Sequence, residues 1–220
     1  MRRELLIFFL VSASCGSGED EGVGPVVDAG SDRISAHPDV QLVDATHPTD
    51  AGVETSTTIP DAACNVVVQT HPIQGADHVA EGSIISYSTN PPSSGPHYGI
   101  WANFKEYDKV IADGYLVHSM EHGAVLLFYD CDPGACVAPP GVLDALRAVR
   151  NAVPTDPLCD PTIRVRVILA PRPANDVAVA AAAWGATYNA DCVDAPSLSK
   201  FITDFYAKTE ENFCSPGVNF

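Results

Sequence analysis

Four histidines and one glutamate carry the chemistry open to this chain. His97 closes the proline-rich run Asn90-Pro91-Pro92-Ser93-Ser94-Gly95-Pro96-His97-Tyr98, and His78 stands upstream of it. His118, Glu121 and His122 fall within Val117-His118-Ser119-Met120-Glu121-His122-Gly123. Imidazole is the side chain most readily used as a metal ligand or proton carrier near neutral pH. His118 and His122 are four residues apart, so on a helix they share a face and could grip one ion. His97 would come from the loop as a third ligand and His78 as a fourth. Glu121 would be a further ligand, or the acceptor that sets an imidazole tautomer. Such a nitrogen and oxygen set suits zinc or copper.

Other chemistries use the same residues. His-x-x-Glu-His is also the signature of inverzincin metalloproteases, which place it inside a long helix. Here Tyr115-Leu116-Val117 precedes it and Gly123 with an apolar run follows, which leaves room for one helical turn. A metal-dependent hydrolase with Glu121 as general base on a bound water needs an open coordination position and a cleft. A bland alternative is a recognition module in which Glu121 pairs with a histidine and Gly123 supplies a positive φ, so that the bend is purely architectural. Ser93, Ser94 and Ser119 lie in no Gly-x-Ser-x-Gly elbow, which argues against a serine nucleophile. On balance the residues favour binding over catalysis.

These side chains need a frame. Three prolines in the Asn90–Pro96 segment deny it helix and inner strand alike. Val66–Val68, Ile84–Tyr87, Tyr115–Val117 and Ala124–Tyr129 read as strands, the last apolar throughout and hence central. Val142–Val149 has helical spacing and ends before Pro154. Thr162–Leu169 alternates Arg164 and Arg166 with valines, as a half-buried strand does. Val177–Trp184 is ambiguous, because alanine favours helix while Gly185 suits a turn. Leu198, Phe201, Ile202, Phe205 and Tyr206 form an amphipathic helix after an N-cap at Ser197. The expectation is α+β: one disulfide-bonded domain, a mixed or antiparallel sheet with two or three helices on one face.

Three regions follow from composition. Residues 1–15 read as an export signal, with Arg2 and Arg3 before a short apolar run. The small residues Ser12-Ala13-Ser14 lead into Cys15 as in a lipobox, although Ser12 stands where leucine is usual. Cys15 is then the lipidation site, the membrane is a partner through that lipid, and the protein belongs to the cell envelope, facing periplasm or cell surface. Simple secretion is the alternative. Residues 16–61 hold ten acidic residues and one base and no aromatic residue, so they read as a disordered acidic tether reaching roughly 35–40 Å. Residues 62–220 form the globular domain.

The domain holds Cys64, Cys131, Cys136, Cys159, Cys192 and Cys214, an even set that fits a disulfide framework in an oxidising compartment. The turn Asp132-Pro133-Gly134 suggests a local Cys131–Cys136 loop, and Cys64 and Cys214 flank the domain as a pair of ends would. The formal charge is −16, and no basic patch exists, so nucleic acid is excluded as a partner.

Asn90–Tyr98, Val117–Gly123 and Ala183-Trp184-Gly185 together resemble a bacterial domain-of-unknown-function family, number 3105, which also includes the domain of tumour protein p53-inducible protein 13. The likeness covers roughly residues 64 to 207. It implies one exported or membrane-attached domain and brings no established activity. The family's second motif usually reads His-Asn-Leu-Glu-His-Gly, so Ser119 and Met120 depart from it. Met120 could add a thioether that favours Cu(I), but leucine at its place in the family implies a packing role. By motif match the residues carried over are His97, His118, Glu121, His122 and Gly123.

Overall fold

A computed structural model describes residues 56–58 and 64–220. The expected export signal, Cys15 and nearly all of the expected tether therefore lie outside the described residues. Among the described residues eight strands form: β1 (Ser56–Thr58), β2 (Val67–Thr70), β3 (His78–Val79), β4 (His97–Tyr98), β5 (Val125–Tyr129), β6 (Val167–Pro171), β7 (Val179–Ala183) and β8 (Ala186–Ala190). Three helices accompany them: α1 (Asp113–Glu121), α2 (Val142–Ala152) and α3 (Ala195–Phe205). The main sheet runs β1-β2-β8-β7-β5-β6, and β3 and β4 pair separately. Its neighbours are antiparallel except β5 and β6, which α2 joins by a parallel crossover. The class is α+β with a mixed sheet. No described helix is long and apolar enough to cross a membrane.

The sheet has a layer on each face. Val125, Leu127 and Tyr129 of β5 pack with Leu146 and Val149 of α2 and with Leu198, Phe201 and Ile202 of α3. Leu126 and Phe128 point the other way, onto Leu116, Val117 and Met120 of α1. A strand buried on both faces must be apolar at every position, as β5 is. The helices thus cover both faces rather than one, and α1 is the one that carries His118, with His122 at its C-cap.

Several local expectations change, each for a packing reason. Tyr115–Val117 is not a strand but lies within the first half of α1. Seven residues of α1 are buried, Leu116, Val117, His118, Met120 and Glu121 among them. A helix enclosed on nearly all sides shows no amphipathic stripe to read. Ile84–Tyr87 forms no strand, and Ile84 is fully exposed at 100%. In Thr162–Leu169 the strand begins only at Val167. Arg166 before it is buried, with its guanidinium on Asp156 at 2.7 Å and donating to the His122 carbonyl at 3.0 Å. Val177–Trp184 resolves to β7, because pairing on both sides overrides alanine's helical preference. Asp194, not Ser197, caps α3; its carboxylate accepts from the Ser197 N–H at 2.9 Å.

Cys131–Cys136 closes the local loop as expected. Cys64 bonds Cys192 and Cys159 bonds Cys214, so the suggested Cys64–Cys214 pair does not form. Three disulfides suit an oxidising, extracytoplasmic compartment. β1 at residues 56–58 adds an edge strand to β2.

Candidate metal centre

His78 and His97 are direct partners in register across β3 and β4, so both side chains leave that ribbon on one side. Helix α1 lies beside β4 and supplies His118 and Glu121, one turn apart on one face. The approach is close: a Cβ on Gly114 would fall 2.7 Å from two ring carbons of Tyr98. The helix ends at His122, where Gly123 adopts φ +88° and its N–H donates to the Met120 carbonyl at 2.8 Å. That is a glycine-terminated helix end, as the sequence anticipates for Gly123.

Two imidazoles are locked by backbone carbonyls. His97 Nδ1 donates to the Gly95 carbonyl at 2.9 Å, and His118 Nδ1 donates to the Tyr98 carbonyl at 2.6 Å. A carbonyl only accepts, so each Nδ1 carries the proton and each Nε2 of the neutral ring keeps a lone pair. His97 Nε2 then faces Glu121 Oε2 at 3.0 Å, and neither atom has a hydrogen-bond partner. His78 Nε2 stands 3.9 Å from the same oxygen. The rings of His78, His97 and His118 are mutually 4.7 to 4.9 Å apart.

Burial sets the protonation. His97 is 0% and His118 3% exposed, and burial holds both imidazoles below their ordinary range and hence neutral at pH 7. Burial, then the charge of Glu211, pushes the Glu121 carboxyl above its ordinary range. Lone pairs converging on a carboxylate in a desolvated place repel one another unless a cation joins them. One ligand atom each from His78, His97, His118 and Glu121 lies within 4.8 Å of the rest, and these four residues could hold a metal ion. Tetrahedral zinc at about 2.0–2.1 Å from each ligand needs them closer. His78, half exposed on its strand, has the freedom to close in.

His122 faces elsewhere. It joins Glu121 and Glu211 in a second group rather than the first. Its ring packs against Trp101 and Phe213, with centroids 4.5 and 3.9 Å away. Burial and then the neighbouring imidazoles push it down to about 3. Met120 is fully buried in the apolar cluster under α1, consistent with packing. The Ser119 hydroxyl shares its proton between the Ala102 and Tyr115 carbonyls, each 3.0 Å away, tying α1 to the preceding chain, and Ser94 Oγ accepts from the Gln74 N–H.

The remaining motif residues support the centre. Trp184 meets His97 edge-on at 6.2 Å. Gly185, at φ +76°, makes the β7–β8 turn, and its N–H donates to the Ser93 carbonyl at 2.8 Å. The Ala-Trp-Gly turn thus clamps the proline loop that presents His97. Asn90 accepts from Arg172, which also pairs with Asp113 at the start of α1. Glu211 was not singled out in sequence, because one acid in a polar terminal segment has no distinguishing pattern. A cleft of about 770 Å³ opens over Glu121, walled by Ile73, Gly75, Trp184, Glu210 and Glu211.

The Gly114–Tyr98 contact yields a test. Gly114→Ala gains about 1 kcal/mol of helix propensity but drives a methyl into a ring held by its hydroxyl on the Ser83 carbonyl. Overpacking of this kind costs about 1–3 kcal/mol. We expect α1 to shift from β4 and metal affinity to fall about tenfold or more, an effect of the size seen when groups orienting ligands are disturbed. Calorimetric metal titration beside thermal unfolding checks both.

No curated protein and no solved structure matches the chain. A family model described as "Protein of unknown function (DUF3105)" matches residues 78–216. The match starts at His78 and spans every residue of the centre and the turn that braces it. With more than half of its length covered, the chain belongs to the DUF3105 family.

Proposed function

We propose that this protein binds a transition metal, zinc or copper, through His78, His97, His118 and Glu121, for sensing, storage or delivery in the cell envelope. The observation that carries the reading is the pair of imidazoles whose Nδ1 protons are committed to the Gly95 and Tyr98 carbonyls. Both rings thereby offer Nε2 in the tautomer that ligates, as outer hydrogen bonds do in metal sites. A proton shared by His97 and Glu121 would relieve that one contact, but the convergence of His78 and His118 on the same place favours an ion. The full chain, produced oxidised in a periplasm and assayed by elemental mass spectrometry, should retain at least one zinc or copper ion. His97→Ala/His118→Ala should lose it. Absence of metal after loading would overturn the reading.

The second part of the proposal is attachment by a lipid on Cys15, supported by the small residues before it and by a disulfide-bonded domain. Cys15→Ala should move the protein from the membrane to the soluble fraction on cell fractionation, and its retention in membranes would count against lipidation. One feature also favours a hydrolytic variant of the reading: the cleft reaches Glu121. A carboxylate there could take a proton from a metal-bound water. Glu121→Gln that keeps its metal yet loses metal-dependent hydrolysis would single out that variant.

A further inference from the structure

We propose a second metal position beside the first, formed by Glu121, His122 and Glu211, with the Glu121 carboxylate bridging the two ions. The inference rests on the first site and extends it. One ligand atom each from these three residues lies within 4.8 Å of the others, and Glu121 belongs to both groups. A carboxylate has two oxygens with lone pairs enough for two ions. Bridged pairs of ions stand about 3.5–4 Å apart in two-metal sites.

His122 makes this more than a cluster of acids. Its side chain is 3% exposed, with Nε2 3.4 Å from Glu211 Oε2. Its Nδ1 is buried without a hydrogen-bond partner. With the proton on Nδ1, the Nε2 lone pair faces Glu211 and is left for a ligand. Glu211 approaches from the C-terminal segment, its side chain 58% exposed on the wall of the cleft. The two positions differ in chemistry. The first has three nitrogens and one oxygen. The second has one nitrogen, two carboxylates and access to cleft water, a harder set that suits a divalent ion such as Zn²⁺ or Mn²⁺ and not Cu(I). Ions at both positions would also neutralise the repulsion between Glu121 and Glu211.

Zinc stoichiometry of the full, oxidised chain, measured by native mass spectrometry after loading and desalting, reads the proposal directly. We expect two ions per chain in the parent protein and one in Glu211→Gln, a surface change that leaves the core intact. His122→Gln should also hold one ion. Loaded with Cu(II), the parent should show a spin-coupled paramagnetic resonance spectrum with a half-field line, and Glu211→Gln the signal of an isolated ion. One ion in the parent, or two in Glu211→Gln, would overturn the second position while leaving the first. No ion in any protein would overturn both.

Discussion

Zinc added to the chelated protein should raise its thermal midpoint by about 5–15 °C, and His118→Ala should cut the rise. An ion that binds only the folded chain stabilises it by about 2.7 kcal/mol at one hundred times its Kd and about 4.1 kcal/mol at one thousand times. In a domain of this size each kcal/mol moves the midpoint by about 2–4 °C. The unfolded chain has no such site, because His78, His97 and His118 come from three separate segments joined only by the β3–β4 pairing and by α1. An architectural role for the histidines predicts a different pattern. His118→Ala would then strand the buried Tyr98 carbonyl and cost about 1–3 kcal/mol, while zinc would shift neither protein. Thermal scans of both proteins, each with chelator and with zinc, separate the two outcomes.

The second large effect is acid lability of the metal-free protein. Burial holds His97, His118 and His122 below their ordinary range, His122 at about 3. In the unfolded chain they titrate at about 6.5. Below that pH the unfolded chain takes up protons that the folded chain refuses, so stability is full above about pH 6.5 and falls as the pH drops toward the folded values. Each such proton costs about 1.4 kcal/mol per pH unit. Glu121 works in the opposite sense. Its raised pKa means that just above the ordinary carboxyl range the folded chain holds a proton that the unfolded chain has released. It offsets at most one of the three. His122, held at about 3, by itself contributes about 1.4 kcal/mol per pH unit near pH 5, and His97 and His118 add to it in the same direction. Urea unfolding of chelated protein at pH 7 and pH 5 measures it, and equal midpoints would show that the rings are not held neutral. Metal-loaded protein should keep its stability further into acid, since bound ions exclude the protons.

How much of this was legible beforehand depended on the range of the interactions. Ala124–Tyr129 announced a central strand by being apolar at every position, and α3 announced itself by spacing alone. The glycine at 123 and the proline loop also read correctly, because their conformations are dictated by their own residues. Tyr115–Val117 misled because α1 is enclosed on both sides, by the sheet and by the histidine cluster, and its polar residues face inward. Arg166 misled because alternation implies a solvent face, and only a buried Asp156 makes a buried guanidinium tolerable.

For the centre, the residue types were legible and their partition was not. The sequence by itself determined that imidazoles and a carboxylate recur at ligand-like spacing in a cysteine-rich, acidic chain, and that His118 and Glu121 sit a few residues apart. Local spacing constrains only neighbours. Which ring nitrogens carry protons, that His78 stands opposite His97, and that His122 turns away toward Glu211 were decided by the tertiary structure. Those facts depend on the parallel pairing of two short segments, on the close approach of Gly114 to Tyr98, and on a C-terminal segment nearly one hundred residues from α1 in sequence.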